Sequence, residues 1–238
     1  MRLSSLLADF LEYLEVERKF SQLTIRNYDH YLKRFLNFCG DITPIEINVE
    51  LVRKYRRYLS SWIDPQTKKS LKAVTQNYFM IAIRGFLRYL ARQNIAALSA
   101  EKVPLTKQER LPLKSLDDSD LKQLLNAPAT SKKSGIRDRA ILETLFSTGF
   151  RVSELVLLNR GEFVSFWVDK YLSQRTDDFK PLFIRFQGKI NPLNSGEYMR
   201  LTPRSIQRIV EKYVKIKALP IKATPHTLRF MAHQAIKQ

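Results

Sequence analysis

The stretch that decides the second half of the fold reads IRDRAILETLFSTGFRVSEL, residues 136–155. Ile136 to Phe146 is nearly all apolar on one face, which predicts a buried helix. Thr148-Gly149 ends that helix, because glycine permits the sharp turn that follows, and Arg151 opens a second, short helix. The pattern therefore places an arginine at a helix start, where backbone N–H groups favour an anion.

A second motif, Thr224-Pro225-His226-Thr227-Leu228-Arg229, has the same character. Thr-Pro is typical of a helix N-cap followed by the first helical residue. His226 and Arg229 then lie three residues apart on one side of the first turn, where both can donate to phosphate oxygens. Either motif alone is more simply interpreted as surface charge.

Taken together, the two motifs predict a phosphate site. Arginines from both motifs that converge on one phosphodiester would stabilise the extra negative charge of a pentavalent transition state. Glu154, one turn after Arg151, is placed to orient that guanidinium from behind.

Composition favours a polyanionic partner. The 238 residues include 41 lysines and arginines and 23 acidic residues, which gives a formal charge of +18. DNA or RNA is the commonest partner of a protein with such a positive electrostatic field. The 44% of hydrophobic residues suffices for a packed core in each of two domains. The single cysteine, Cys39, excludes an intrachain disulfide, and no signal peptide or long charge-free apolar run is present. We therefore expect a cytoplasmic protein with no membrane association.

Helical periodicity dominates the chain and predicts a mainly α fold. Residues 1–95 read as a four-helix domain, and residues 96–114, which lose periodicity and carry Pro104 and Pro112, read as a linker. Residues 115–238 read as a second, mostly helical domain. Its best strand candidate is Pro181 to Phe186, which predicts a small, reduced β-sheet.

The two motifs resemble the first and second arginine boxes of the tyrosine recombinase (phage integrase) family, and most closely its Xer-like branch. Thr75 to Leu90 is similar to the fourth helix of that family's SAM-like core-binding domain. The residues similar to that domain's second helix are Ser21, Thr24, Tyr28, Leu32 and Phe35. The resemblance covers essentially the whole chain.

This resemblance implies a two-domain clamp around duplex DNA, with no metal or nucleotide cofactor. In the family a tyrosine attacks the scissile phosphate. By the resemblance, the catalytic residues that activate this phosphate would be Arg151, His226 and Arg229. A second copy or a related recombinase on the DNA is the further partner implied. The residues expected to contact DNA, on the second and fourth helices, are Thr24, Arg26, Lys72, Gln76 and Arg84.

The sequence departs from the family pattern in its tyrosines. The chain ends at Gln238, nine residues past Arg229, with neither the further His or Trp nor the tyrosine of the family. Tyr171, Tyr198 and Tyr213 all precede the second box, so no nucleophile is assigned. We expect a truncated and internally shortened chain that is inactive alone.

Two further departures concern the general acid and a histidine. We expect the family's β-hairpin, which carries the lysine general acid, to be absent after the first box. Lys189 is a candidate for that general acid, although it comes late in the family's order of elements. Phe230 stands where a histidine commonly follows the second-box arginine, and His233 is interpreted as a surface residue.

Two alternatives remain open. The chain could be a catalytically dead DNA-binding module that regulates or competes with an active recombinase. It could instead be a general nucleic-acid-binding helical protein whose two boxes match by accident.

Overall fold

In the computed structural model, residues 1–65, 67–106, 116–188 and 194–235 are described. The chain forms two compact units, Met1–Arg110 and Leu111–Gln238. Within the described ranges the structure is mainly helical, which confirms the predicted fold class. The helices of the first unit are α1 (Leu3–Val16), α2 (Gln22–Cys39), α3 (Val49–Ser61) and α4 (Ala73–Arg92). Those of the second unit are α5 (Asp118–Leu125), α6 (Lys133–Thr148), α7 (Val152–Leu157), α8 (Phe166–Leu172), α9 (Pro203–Ile216) and α10 (Pro225–Ala235).

Helix boundaries in the first unit follow from capping residues. The Ser21 side chain accepts a hydrogen bond from the Thr24 amide at the start of α2, and Asn48 accepts one from Leu51 at the start of α3. Gly40, with φ +78°, ends α2 in a conformation that favours glycine. The four helices predicted over residues 1–95 are therefore present.

Aromatic rings fill the centre of the first unit. Phe10 is 2% exposed, and the centroid of its ring lies 5.8 Å from that of Tyr28, 5.6 Å from Phe86 and 5.3 Å from Tyr89. Aromatic pairs at such separations stabilise beyond the area that they bury. These contacts join α1, α2 and α4 into one core.

The first unit extends past the end predicted for it. Ala100 and Val103 are buried in its core. The Asn77 side chain exchanges two hydrogen bonds of 3.0 Å with the Thr106 backbone. Residues 96–106, predicted as linker, therefore pack on the first unit because they carry apolar side chains that α4 can bury. Residues 107–115 of the predicted linker lie outside the described residues.

The second unit is built around α6. Gly149, in the left-handed conformation with φ +66°, ends α6 as predicted, and Arg151 is the N-cap of α7. The Thr-Pro signals also hold: α9 begins at Pro203, where Thr202 accepts a hydrogen bond from the Ser205 amide, and α10 begins at Pro225. The predicted helix starts thus position both arginine boxes.

The predicted sheet is reduced to short pairings. In the described part of the chain, β-pairing consists of isolated bridges, which join Ile63 to Ser70, Asn159 to Pro181 and Ile184 to Arg200. The backbone of 180–185 bonds on one side to 158–160 and on the other to 199–201. The strand predicted at Pro181 to Phe186 is therefore wrong as a continuous strand, although Leu182, Phe183 and Ile184 are buried as its apolar pattern requires.

Buried arginines support this irregular region. The Arg175 side chain is 1% exposed; it pairs with Asp177, and its Nη1 donates to the carbonyls of Pro181 and Leu182 at 2.8 Å. Arg200 Nη1 donates to the carbonyls of Val156 and Leu158 at 2.7 and 2.9 Å. These guanidiniums satisfy carbonyls that a continuous sheet would otherwise satisfy.

Candidate phosphate-binding site

Arg151 is held by Glu154 and faces solvent. Its backbone amide donates to Glu154 Oε2 at 2.7 Å, and its Nη1 donates to Oε1 of the same carboxylate at 2.8 Å. The Arg151 side chain is still 62% exposed. A carboxylate that binds one edge of a guanidinium leaves its other N–H groups free for a ligand. The contact expected of Glu154 is present.

Arg229, on α10, is near enough for its charge to act on the same carboxylate. The pKa of Glu154 is lowered, first by the hydrogen bonds from the Arg151 backbone and side chain, and further by the charges of Arg151 and Arg229. The Nε atom of Arg229 is buried, and within the described residues it has no hydrogen-bond partner. The charges of both arginine boxes therefore act on Glu154, and the buried Nε–H of Arg229 has no acceptor among the described residues.

Four other arginines of the second unit are committed to the fold. The side chains of Arg137, Arg175 and Arg200 are 11%, 1% and 14% exposed, and each donates to backbone carbonyls. Arg139 is 12% exposed and pairs with Glu143 at 2.7 Å. Arg151 differs from this group because its guanidinium is mostly in solvent. This contrast marks Arg151 as a cation that is available to an anionic ligand.

The two histidines of α10 have different surroundings. His226, in the first turn, is exposed, and in the described part of the chain it has no hydrogen-bond or ion-pair partner. His233 is also exposed, but its ring lies against Gly149: a Cβ added to that glycine would be 3.2 Å from His233 Cε1. The interpretation of His233 as a surface residue therefore missed a contact with the first box. Its spacing of four residues from Arg229 indicated a shared face of α10, but not the contact with Gly149.

Lys189, the candidate general acid, lies outside the described residues. The connection from α7 to α8 spans only residues 158–165 and contains no named strand. The hairpin expected from the family is therefore not present at this junction.

The tyrosines of the second unit occupy unlike positions. Tyr171 is 1% exposed, and its hydroxyl accepts from the Ile184 amide at 3.3 Å. Tyr213 is 4% exposed, and its hydroxyl donates to Asp138 Oδ2 at 2.9 Å. Burial raises the pKa of both phenols. Tyr198 is 58% exposed.

In the first unit, Thr24 lies on a groove between α2 and α4. This groove, the α2–α4 groove, has a volume of about 380 Å³ and is lined by Thr24, Asn27, Tyr28, Tyr31, Tyr78, Ile81 and Ala82. Tyr78 and Ile81 are 49% and 39% exposed, which is high for large apolar side chains. Asn27, Tyr31 and Tyr78 were not among the residues predicted to contact DNA. Their positions on facing sides of two helices could not be read from either helix alone.

Two of the predicted DNA contacts, Thr24 and Arg26, lie on different faces of α2. Arg26 is exposed but is rotated by about 160° from Thr24 around α2. Lys72 and Gln76 lie at the start of α4, and Gln76 Nε2 donates to the Leu71 carbonyl at 2.9 Å. Arg84 is half-buried, and its charge, with that of Arg88, lowers the pKa of Glu101 after the hydrogen bonds from Ser99 and the Glu101 backbone.

The described ranges contain neither a metal-ligand cluster nor a membrane-spanning helix. No group of three or more His, Cys, Asp and Glu side chains there is arranged to hold a metal ion. Of the helices described, none is long and apolar enough to cross a bilayer.

Comparison with known proteins identifies the family. Residues 7–94 match the phage integrase N-terminal SAM-like domain. Tyrosine recombinase XerC of Pelotomaculum thermopropionicum is 31% identical, over 93% of this chain and 81% of the relative. The chain belongs to the tyrosine recombinase family. XerC of Pelobacter propionicus is likewise 31% identical, over 92% of this chain and 78% of the relative.

Solved structures share the fold at lower identity. A lambda integrase(75-356) dimer bound to a COC' core site superimposes with a TM-score of 0.74 at 15% identity, over 100% of this chain and 90% of that one. XerH bound to difH substrate, in a pre-cleavage complex, superimposes with a TM-score of 0.64 at 17% identity. The match covers 98% of this chain and 73% of that one.

The relatives contain internal residues that this chain lacks. The alignment with the Pelotomaculum protein runs over 259 residues, more than the 238 of the whole chain. The expectation of internal shortening is consistent with this length and with the short α7–α8 connection.

Proposed function

We propose that this chain binds duplex DNA and acts in site-specific recombination, with Arg151 and Arg229 on the scissile phosphate. The observation that carries the proposal is that Arg151 pairs with Glu154 while most of its side chain stays in solvent, with the charge of Arg229 acting on the same carboxylate. Two charge-assisted contacts to non-bridging oxygens would bind the phosphate and stabilise its transition state. The relatives named as tyrosine recombinases support this reading.

The individual roles follow from position. Glu154 would fix the Arg151 guanidinium, and His226, exposed in the first turn of α10, would add a neutral or cationic donor at the helix start. Residues 1–95 would form the core-binding domain and residues 115–238 the catalytic domain of a clamp on DNA. No cofactor is required by this arrangement. A second copy of the chain or a related recombinase would share the DNA, and the protein would act in the cytoplasm.

Of the predicted DNA contacts in the first unit, Thr24 has the best support, because it lines the α2–α4 groove. Arg26, Lys72, Gln76 and Arg84 remain proposed contacts. Lys189 remains a proposed loop contact or general acid.

The test is selection of binding sites from a randomised duplex pool, followed by competition with random DNA over a salt series. The wild-type chain is expected to enrich one sequence and to prefer it at every salt concentration. Replacement of Arg151 or Arg229 by alanine should weaken binding and lower the salt slope by about one unit each. Enrichment of no sequence would favour a general nucleic-acid-binding protein instead.

A second candidate function is a DNA-binding module that does not cut. It is favoured by Tyr171 and Tyr213, whose buried hydroxyls are engaged in hydrogen bonds and cannot attack a phosphate. A nicked suicide duplex that carries the selected sequence separates the two functions. A covalent protein–DNA adduct would exclude the non-cutting module, and loss of the adduct in Tyr198→Phe would identify the nucleophile.

A further inference from the structure

The contact between His233 and Gly149 brings an imidazole to the first arginine box. A Cβ at Gly149 would lie 3.2 Å from His233 Cε1, 3.4 Å from Nε2 and 3.5 Å from the Ala232 Cβ. The first separation is tighter than ordinary van der Waals contact, so a Cβ at position 149 would require the ring to shift by a few tenths of an ångström. Arg151 follows Gly149 by two residues. The ring therefore lies beside the turn that presents Arg151.

Helix geometry directs the same ring toward Arg229. His233 follows Arg229 by four residues on α10, so the two side chains lie on one face of the helix. Side chains in an α-helix lean toward its N-terminus, which brings a residue's outer atoms over the preceding turn. The His233 ring thus leans back toward the level of Arg229, whereas the His226 ring leans toward the beginning of the helix.

The position of the ring suits an additional phosphate donor. His233 is exposed, so its ring can reach a ligand. The charges of Arg151 and Arg229 both act on Glu154, and the ring lies against Gly149, in the backbone between α6 and Arg151. An imidazole has an N–H donor in either protonation state.

We propose that His233 donates a hydrogen bond from a ring nitrogen to the same DNA phosphate that Arg151 and Arg229 bind. The inference rests on the proposed function and adds a fourth binding group to Arg151, Arg229 and His226 at that site. It also gives Gly149 a second role: besides its left-handed backbone, it provides the space in which the ring lies.

The test is an NMR titration with inorganic phosphate, which probes the anion site without the rest of the DNA surface. The imidazole nitrogens of His233 and the Nε of Arg151 are followed in the full chain labelled with ¹⁵N. Both signals are expected to shift and to saturate at the same phosphate concentration. His233→Ala should weaken phosphate binding by about five- to tenfold, as expected for loss of one hydrogen bond to an anion.

Two variants separate binding from structure. His233→Gln retains an N–H donor and should bind phosphate within about twofold of wild type. Gln234→Ala changes the exposed neighbour and should bind like wild type. Thermal unfolding of each variant verifies that α10 remains folded.

The outcomes distinguish this inference from the proposed function. Equal phosphate affinity in His233→Ala and wild type, or His233 signals that do not shift, would overturn the role of His233 alone if Arg151→Ala and Arg229→Ala still weaken binding. If neither arginine variant changes phosphate binding, the proposed phosphate site itself is wrong.

Discussion

Aromatic rings hold the first unit together, whereas buried arginines hold the irregular part of the second. Phe10 contacts three rings from two other helices, and the first unit presents many of its arginines to solvent, such as Arg57, which is 73% exposed. In the second unit Arg137, Arg175 and Arg200 are at most 14% exposed and bind carbonyls. A count of basic residues therefore overstates the cations that are available to DNA.

The largest loss of stability is expected from a substitution at Arg175. Arg175→Ala removes the donors to the Pro181 and Leu182 carbonyls and leaves Asp177 without its closest cation. We expect a loss of about 4 kcal/mol in the free energy of unfolding, measured in urea. The exposed control Arg57→Ala should change it by less than about 0.5 kcal/mol. A loss below about 1 kcal/mol in Arg175→Ala would show that packing, not this guanidinium, holds the region.

The matching change in the first unit is Phe10→Ala. It removes a ring that touches Tyr28, Phe86 and Tyr89, so we expect a loss of about 3 kcal/mol in stability. Hydrogen exchange should show faster opening of amides in residues 1–106 and unchanged protection in residues 116–188. Equal acceleration in both units would contradict their separate stabilisation.

A smaller effect is expected at Tyr213. Tyr213→Phe deletes the hydroxyl that donates to buried Asp138, a carboxylate that is also bound by Arg137. Urea unfolding should show a loss of about 1.5 kcal/mol. Tyr198→Phe, at an exposed position, is the control and should leave the midpoint unchanged.

The smallest effect concerns acid stability. Burial opposes the charge of Asp177, but hydrogen bonds from Arg175 and the Phe179 amide outweigh it, so the pKa of Asp177 in the folded chain lies below its ordinary value. The stabilisation is therefore complete above the unfolded-state pKa, about 3.9, and is lost as the pH falls through the lower folded value. Asp177→Asn should flatten this part of the stability curve. An identical acid dependence in the variant would argue against the ion pair.

Sequence patterns predicted the regular parts of both units. Apolar periodicity in residues 1–95 and the Thr-Pro starts of α9 and α10 are local signals, and the structure has those helices. The pairing of 180–185 with 158–160 and 199–201 could not be predicted, because the long-range hydrogen bonds of Arg175 and Arg200 determine it.

In the candidate site, too, the local contacts could be predicted and the long-range contacts could not. The pairing of Arg151 with Glu154 follows from a spacing of three residues within one helix start. The contact of His233 with Gly149 joins residues of α10 to the end of α6, so no local pattern could reveal it.

The central claim is that Arg151 and Arg229 bind one phosphate, and a double-mutant cycle tests it most directly. Affinity for the selected duplex is measured for wild type, Arg151→Ala, Arg229→Ala and the double variant. Shared binding predicts that the double variant loses less than the sum of the single losses, by about 1 kcal/mol or more. Losses that add to within about 0.5 kcal/mol would show that the two arginines act at separate phosphates, which contradicts the account.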